Sequence, residues 1–424
     1  MDAYTLVAVI LFVTTGAALF NKRLLRLPES VGLMGTALFV SILFLGFGLI
    51  FPAIVEPVCQ RILSIDFSFI VLELLLGFLI FAGAFSSDTS GMAMQRWPIV
   101  LFATVGILIS TFVVGAAMWG ILGGIGLGIP FLHCLLFGAL ISPTDPIAVL
   151  AILKTTGVPR SLQADIAGES LLNDGVAVVV FLTLFQLAGG MGSESGHAGE
   201  FGAMQIAALF GREVIGGVIL GGIGGWLTTI ALRLARNDAI DILVTVAAVM
   251  TVYASAWKLH VSGPLALVVV GIMVALAINS ERTDPEERDH LETFWEAIDH
   301  LLNAVLFTLM GFVVLSLVDT FQIAYLLAGL LAIPVVLGAR LISLGVTVPL
   351  TSLRRGNISS TLSLLTWGGL RGGISIALAL SLRPEMSREL IVFVTYIVVV
   401  FSILVQAMSI GKLVKRLGIT NETN

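Results

Sequence analysis

The chain has 424 residues, of which 58% are hydrophobic and only 12% are charged, and its net charge is −5. Soluble domains carry about 25% charged residues, so water is not the main solvent of this protein. The small and scattered charge argues against a nucleic acid as partner. The two cysteines lack metal-ligand spacing, so we expect neither a metal cofactor nor a disulfide framework.

Apolar runs recur along the chain, each long enough to cross a hydrocarbon core roughly 30 Å thick. The first run lacks the layout of a cleaved signal peptide, so we interpret it as a retained span. We therefore predict an all-α integral membrane protein, in contact with membrane lipid along its length. The thirteen predicted spans are 4–20, 31–51, 67–85, 97–120, 131–154, 165–188, 209–234, 240–257, 262–279, 299–318, 323–350, 357–382 and 388–411.

Basic residues set the predicted orientation. If the C-terminus is cytoplasmic, fifteen Lys and Arg residues fall in inner loops and five in outer loops. Because basic residues favour the cytoplasmic side, we expect the N-terminus outside. The Gly-rich stretch 189–202 is then an external loop.

Two spans contain residues that disrupt helices. The fifth is interrupted at Ser142-Pro143-Thr144-Asp145-Pro146 and the twelfth at Gly368-Gly369-Leu370-Arg371-Gly372-Gly373. Both breaks fall on the fifth helix of a six-helix unit, if 1–188 and 237–418 are inverted repeats and 189–236 holds the external loop and a linker helix. This layout is typical of transporters whose binding site lies at the midplane.

The sixth span carries two acids in Gly168-Glu169-Ser170-Leu171-Leu172-Asn173-Asp174-Gly175. Glu169 and Asn173 share one helical ridge, and Ser170 and Asp174 share the next. Such oxygen-bearing ridges suit a hard cation. A simple polar contact between helices is the alternative, and two carboxylates within the membrane make it the poorer one.

The broken spans add further candidates. Pro143 and Pro146 should unwind the backbone around Thr144 and Asp145 and free carbonyl groups for a cation. Asp145 can offset the positive N-terminal end of a half-helix, and Arg371 can offset negative C-terminal ends in the twelfth span.

Two intramembrane charges lack a partner on their own span. Arg340 requires a carboxylate from another helix, and Glu169 is the best candidate. Glu73 has no evident partner and is either a helix contact or a residue near the end of its span.

The segment before the tenth span places Leu291, Phe294, Trp295, Ile298 and Leu301 on one helical face. We interpret it as an interfacial helix anchored by its Trp and charges. A role in pH sensing for His290 and His300 is the alternative.

The run Gly168 to Gly175, the Pro143 to Pro146 break and the Gly-rich break followed by Ile374-Ser375-Ile376-Ala377-Leu378-Ala379 together resemble the monovalent cation/proton antiporters, which include the NhaP proteins and the animal sodium/proton exchangers. The resemblance covers nearly the whole chain. It implies a homodimer in which core helices (121–188 and 319–418) move against dimer-domain helices (1–120 and 237–318).

The resemblance also implies the roles of the site residues. The ion is expected near Asp174, Ser170, Thr144 and Asp145, with a Glu169–Arg340 pair and a helix-stabilising Asn173. Members with Asn before the Asp are generally electroneutral. Almost no tail follows Lys415, so the regulatory tail of the animal exchangers is not expected, and a prokaryotic inner membrane is the natural location.

The sequence thus predicts a transporter rather than an enzyme, exchanging Na⁺ or Li⁺ for H⁺, with Asp174 holding either ion in turn. K⁺/H⁺ exchange is the nearest alternative, since cavity size distinguishes these cations. A cation channel and an intramembrane aspartyl protease using Asp145 and Asp174 are less favoured, because the chain has broken helices and lacks a Gly-x-Gly-Asp signature.

Overall fold

The structure is a computed structural model that describes residues 3–48, 50–53, 55, 67–87, 96–156, 158, 160–189, 203–235, 237–279, 285–318, 320–351 and 358–418. Helices occupy most of these residues, and none of them lies in a β-strand. The predicted all-α class is confirmed. The predicted external loop, from residue 190 onward, lies outside the described ranges.

The helices are numbered here in chain order. They are α1 (Ala3–Phe20), α2 (Glu29–Gly48), α3 (Phe67–Phe85), α4 (Trp97–Gly124), α5 (Phe131–Ile141), α6 (Ile147–Thr156), α7 (Arg160–Leu187), α8 (Ala203–Ala235), α9 (Asp238–Leu259), α10 (Gly263–Ile278), α11 (Pro285–Phe312), α12 (Ile323–Leu350), α13 (Ile358–Trp367), α14 (Gly373–Leu380) and α15 (Arg388–Leu417).

Ten of the helical segments in the described ranges are long and apolar enough to cross a membrane. The remaining predicted spans correspond to shorter helices, namely α10 and the pairs α5/α6 and α13/α14. Each pair is separated by a non-helical segment, 142–146 in the first and 368–372 in the second. The helices therefore stop where the sequence places Pro or Gly residues that interrupt the backbone hydrogen-bond ladder.

The helices pack in two groups. In the first, α8 and α9 pack on α10, α10 packs on α3, and α11 packs on α2 and α3. In the second, α4 packs on α5 and α12, and α12 and α14 pack on α15. Helix α7 contacts both groups, through α5 on one side and α8 and α10 on the other, so the acids of α7 lie between the groups.

The close contact between α4 and α5 depends on Gly138. A Cβ atom at this position would lie 2.3 Å from the backbone oxygen of Thr111, which no side chain permits. Small residues of this kind let membrane helices approach closely. Ser142, the residue after the end of α5, donates its hydroxyl proton to the Gly138 carbonyl oxygen at 2.6 Å, and its Oγ lies 3.0 Å from Ser110 Oγ on α4. These contacts hold the C-terminal end of α5 against α4.

The first half of helix α11 is not the separate interfacial helix that the sequence predicts. It is one continuous helix from Pro285 to Phe312, and the side chain of Trp295 is fully buried. Trp295 Nε1 donates to Thr245 Oγ1 on α9 at 3.2 Å, and its ring packs against Phe81 of α3. The predicted interfacial Trp anchor is therefore wrong: Trp295 packs inside the first group because α3 and α9 cover that face.

Candidate functional site

The two interrupted spans meet at their non-helical segments. Asp145 N donates to the backbone oxygen of Leu370 at 2.8 Å, which joins one break directly to the other. Asp145 Oδ1 also accepts from Ile147 N at 2.9 Å and so caps the first turn of α6. This is the interaction with a half-helix N-terminus that the sequence predicts for Asp145.

Gly372 permits the same carboxylate to approach the start of α14. A Cβ atom at Gly372 would lie 2.6 Å from Asp145 Oδ2, closer than any real contact. Asp145 therefore lies beside the first turns of two half-helices, α6 and α14, where backbone N–H groups carry partial positive charge.

Arg371 binds the opposite kind of helix end. Its guanidinium is buried and donates to the backbone oxygens of Ser142 and Pro143, the latter at 2.9 Å. These carbonyl groups follow the C-terminal end of α5. The prediction that Arg371 serves C-terminal ends in its own span is therefore wrong, because the crossing of the two breaks brings the end of α5 next to the guanidinium.

Three polar side chains connect the fifth-span break to α7. Asn173 Nδ2 donates to Thr144 Oγ1 at 2.8 Å, and Thr144 Oγ1 lies 3.0 Å from Ser170 Oγ. Asn173 Oδ1 also accepts from Thr144 N at 3.5 Å. All three side chains are buried. Asn173 thus holds the unwound segment against α7.

Glu169 and Arg340 form a buried ion pair. The Glu169 side chain is 2% exposed and that of Arg340 is 8% exposed. Arg340 Nη1 donates to Glu169 Oε1, whereas its Nε finds no acceptor among the described residues. The pairing predicted from the sequence is present, and it joins α12 to α7.

A cavity of about 860 Å³ borders this region. Its lining includes four of the predicted ion-binding residues: Thr144, Asp145, Ser170 and Asp174. Asn173 and Glu169 do not line it, in keeping with their contacts to Thr144 and Arg340. Glu73 is exposed on α3 and is not part of the lining.

Sequence reasoning missed a second set of polar residues in the lining. Glu296, Asp299 and Asn303 lie on α11 and face the same cavity as Asp174. Their spacing of three and four residues marks a single helical face, and this signal was available in the sequence. The sequence prediction used the apolar face of the same helix instead and placed that helix at the membrane interface.

The chain matches the family described as sodium/hydrogen exchanger, transmembrane, over residues 7–416. It is 41% identical over 417 residues to the Na⁺/H⁺ antiporter NhaP of Pseudomonas aeruginosa, which covers 97% of this chain and 96% of the relative. It is 30% identical over 406 residues to the Na⁺/H⁺ antiporter NhaH of Halobacillus aidingensis, covering 94% of each.

The fold also resembles that of the sodium proton antiporter MjNhaP1 from Methanocaldococcus jannaschii, with a TM-score of 0.67 at 18% identity, over 92% of this chain and 98% of that one. At this identity the likeness concerns the fold alone. The family match spans almost the whole chain. The chain belongs to the sodium/hydrogen exchanger family.

Proposed function

We propose that this protein exchanges Na⁺, or Li⁺, for H⁺ across the membrane by alternating access. One observation carries the proposal: Asp174, Asp145, Thr144 and Ser170 border a single cavity at the point where two interrupted helices cross. The relatives are named Na⁺/H⁺ antiporters, which supports the choice of Na⁺ and H⁺ as the exchanged ions.

In this proposal the transported cation is bound by Asp174, Ser170, Thr144 and Asp145. These residues supply carboxylate and hydroxyl oxygens, the ligands that hard monovalent cations prefer. Asn173 holds Thr144 in place, and Glu169 and Arg340 fix α7 against α12. Arg371 stabilises the carbonyl groups at the end of α5, so that the unwound segment keeps its shape with or without an ion.

Competition for Asp174 provides the coupling. A carboxylate in this cavity binds a proton or a cation, but poorly both together. If the protein changes between its two openings only when Asp174 is neutralised, one cation crosses for each proton in the opposite direction. The exchange is then electroneutral.

The proposed architecture has thirteen crossings, in two inverted six-helix repeats, with the N-terminus outside and the C-terminus in the cytoplasm. We place the protein in the bacterial inner membrane as a homodimer. The packing favours one change to the domain division expected from the sequence: α4 belongs with the core helices, because it packs on α5 and α12.

The test is exchange in proteoliposomes, followed by dequenching of a pH-sensitive dye when Na⁺, Li⁺ or K⁺ is added in turn. Wild type is expected to respond to Na⁺ and Li⁺, and the response should be unchanged by a K⁺ ionophore that clamps the membrane potential. Asp174→Asn should abolish it, whereas Glu73→Gln, which removes an acid outside the cavity, should not.

Cation-dependent proton movement retained by a folded Asp174→Asn variant would refute the assignment. A response to K⁺ alone would favour the K⁺/H⁺ alternative.

A further inference from the structure

The cavity has a polar wall on α11 that the proposed exchange site does not use. Glu296, Asp299 and Asn303 line it from one helical face, across about 10 Å of helix. Glu296 is exposed, Asp299 is partly buried and Asn303 is 6% exposed. The wall therefore leads from the protein surface toward its interior.

One oxygen on this wall lacks a hydrogen-bond donor. Asn303 Nδ2 donates to Asp299 Oδ1 at 3.0 Å, which fixes the orientation of the amide. Its own Oδ1 is buried, and no donor to it is found among the described residues. Buried polar atoms of native proteins are generally paired, so this amide oxygen, next to the Asp299 carboxylate, is an acceptor that a hydrogen-bond donor or a cation can satisfy.

The charges of the lining select for a cation. Four carboxylates face the cavity, from Asp145, Asp174, Glu296 and Asp299, and the described lining contains neither Lys nor Arg. His300 is the remaining titratable group, and its Nδ1 lies 3.8 Å from Glu29 on α2. A cavity lined by one sign of charge raises the local concentration of the opposite ion.

We infer that Asp299 and Asn303, with Glu296 at the outer end, form a second binding site for the transported monovalent cation, separate from Asp174. The inference rests on the proposed function. The ion exchanges part of its hydration shell for the oxygens of Asp299 and Asn303 before it reaches Asp174. The second site stands on α11 and Asp174 on α7, and both sites border the same cavity.

The experiment measures the KM for Na⁺ and the maximal rate in proteoliposomes. Asp299→Asn and Asn303→Leu each remove one ligand, and each should raise the KM for Na⁺ about fivefold while the maximal rate stays within about twofold of wild type. Asp299→Glu restores a carboxylate and should return the KM toward wild type. Asp289→Asn, at the exposed start of the same helix, is the matched control and should change neither quantity.

Ionic strength separates a bound ion from diffuse attraction. About 0.3 M choline chloride shortens the screening length to a few ångströms, so a KM difference that persists there supports a site. An unchanged KM in both ligand variants, a difference that disappears in choline chloride, or a loss of maximal rate at unchanged KM would each overturn the inference. All of these outcomes are measured in variants that still exchange ions. Failure of the proposed function would instead be seen as a wild type without Na⁺-dependent exchange or as exchange retained by Asp174→Asn.

Discussion

The buried Glu169–Arg340 pair provides a quantitative test of how the acids of α7 are divided between structure and transport. Glu169→Gln keeps an acceptor oxygen but removes the charge, which leaves the guanidinium of Arg340 buried and uncompensated. Removal of one partner of a buried pair costs about 3–5 kcal/mol, and an Arg at the membrane centre costs about 2.5–3.5 kcal/mol on insertion scales. The two figures agree on a loss of about 3 kcal/mol.

The measurement is thermal unfolding of the purified protein, followed by tryptophan fluorescence at a fixed scan rate. Membrane proteins commonly unfold irreversibly, so the half-life at one temperature is the better quantity. A loss of about 3 kcal/mol shortens it by up to about two orders of magnitude. Glu169→Gln should therefore melt well below wild type.

The double variant Glu169→Gln/Arg340→Met supplies the control. It removes both charges, so it should recover most of the lost stability, and the two single changes should be far from additive. A Glu169→Gln variant that melts like wild type would refute the structural role of the pair. Additive single and double variants would refute the coupling between α7 and α12.

Two further predictions concern the unwound segment of the fifth span. Gly372→Ala forces Asp145 away from the start of α14 and should lower the exchange rate at least tenfold, since small displacements of a bound-ion ligand are costly. The control is Gly338→Ala, whose Cβ would meet nothing within 4 Å and which should leave the exchange rate unchanged. Equal exchange rates in the two variants would contradict the role assigned to Gly372. Asn173→Leu removes both hydrogen bonds to Thr144 and should cost about 1–2 kcal/mol of stability and raise the KM for Na⁺. An unchanged KM in the proteoliposome assay would show that the position of Thr144 does not depend on Asn173.

Much of the fold follows from local properties of the sequence. Apolar length determines where a helix can cross the membrane, and two prolines within four residues, Pro143 and Pro146, favour a break because neither has an N–H group to donate. A single proline does not suffice, since Pro334 lies inside the continuous α12. The positions of both breaks, and of the acids on α7, were therefore predictable. The pairing of Arg340 with Glu169 was predictable as well, since a buried charge requires an opposite one and few candidates exist.

The tertiary structure decided which remote groups meet. Arg371 reaches the end of α5 rather than of its own span because the two breaks cross, and nothing in either segment alone indicates that crossing. Trp295 is buried because α3 and α9 cover it, and Asp299 and Asn303 line the same cavity as Asp174 because α11 and α7 both border it. Sequence by itself determined the helices and their interruptions, which depend on neighbouring residues; packing between distant helices determined the shape and the charge of the site.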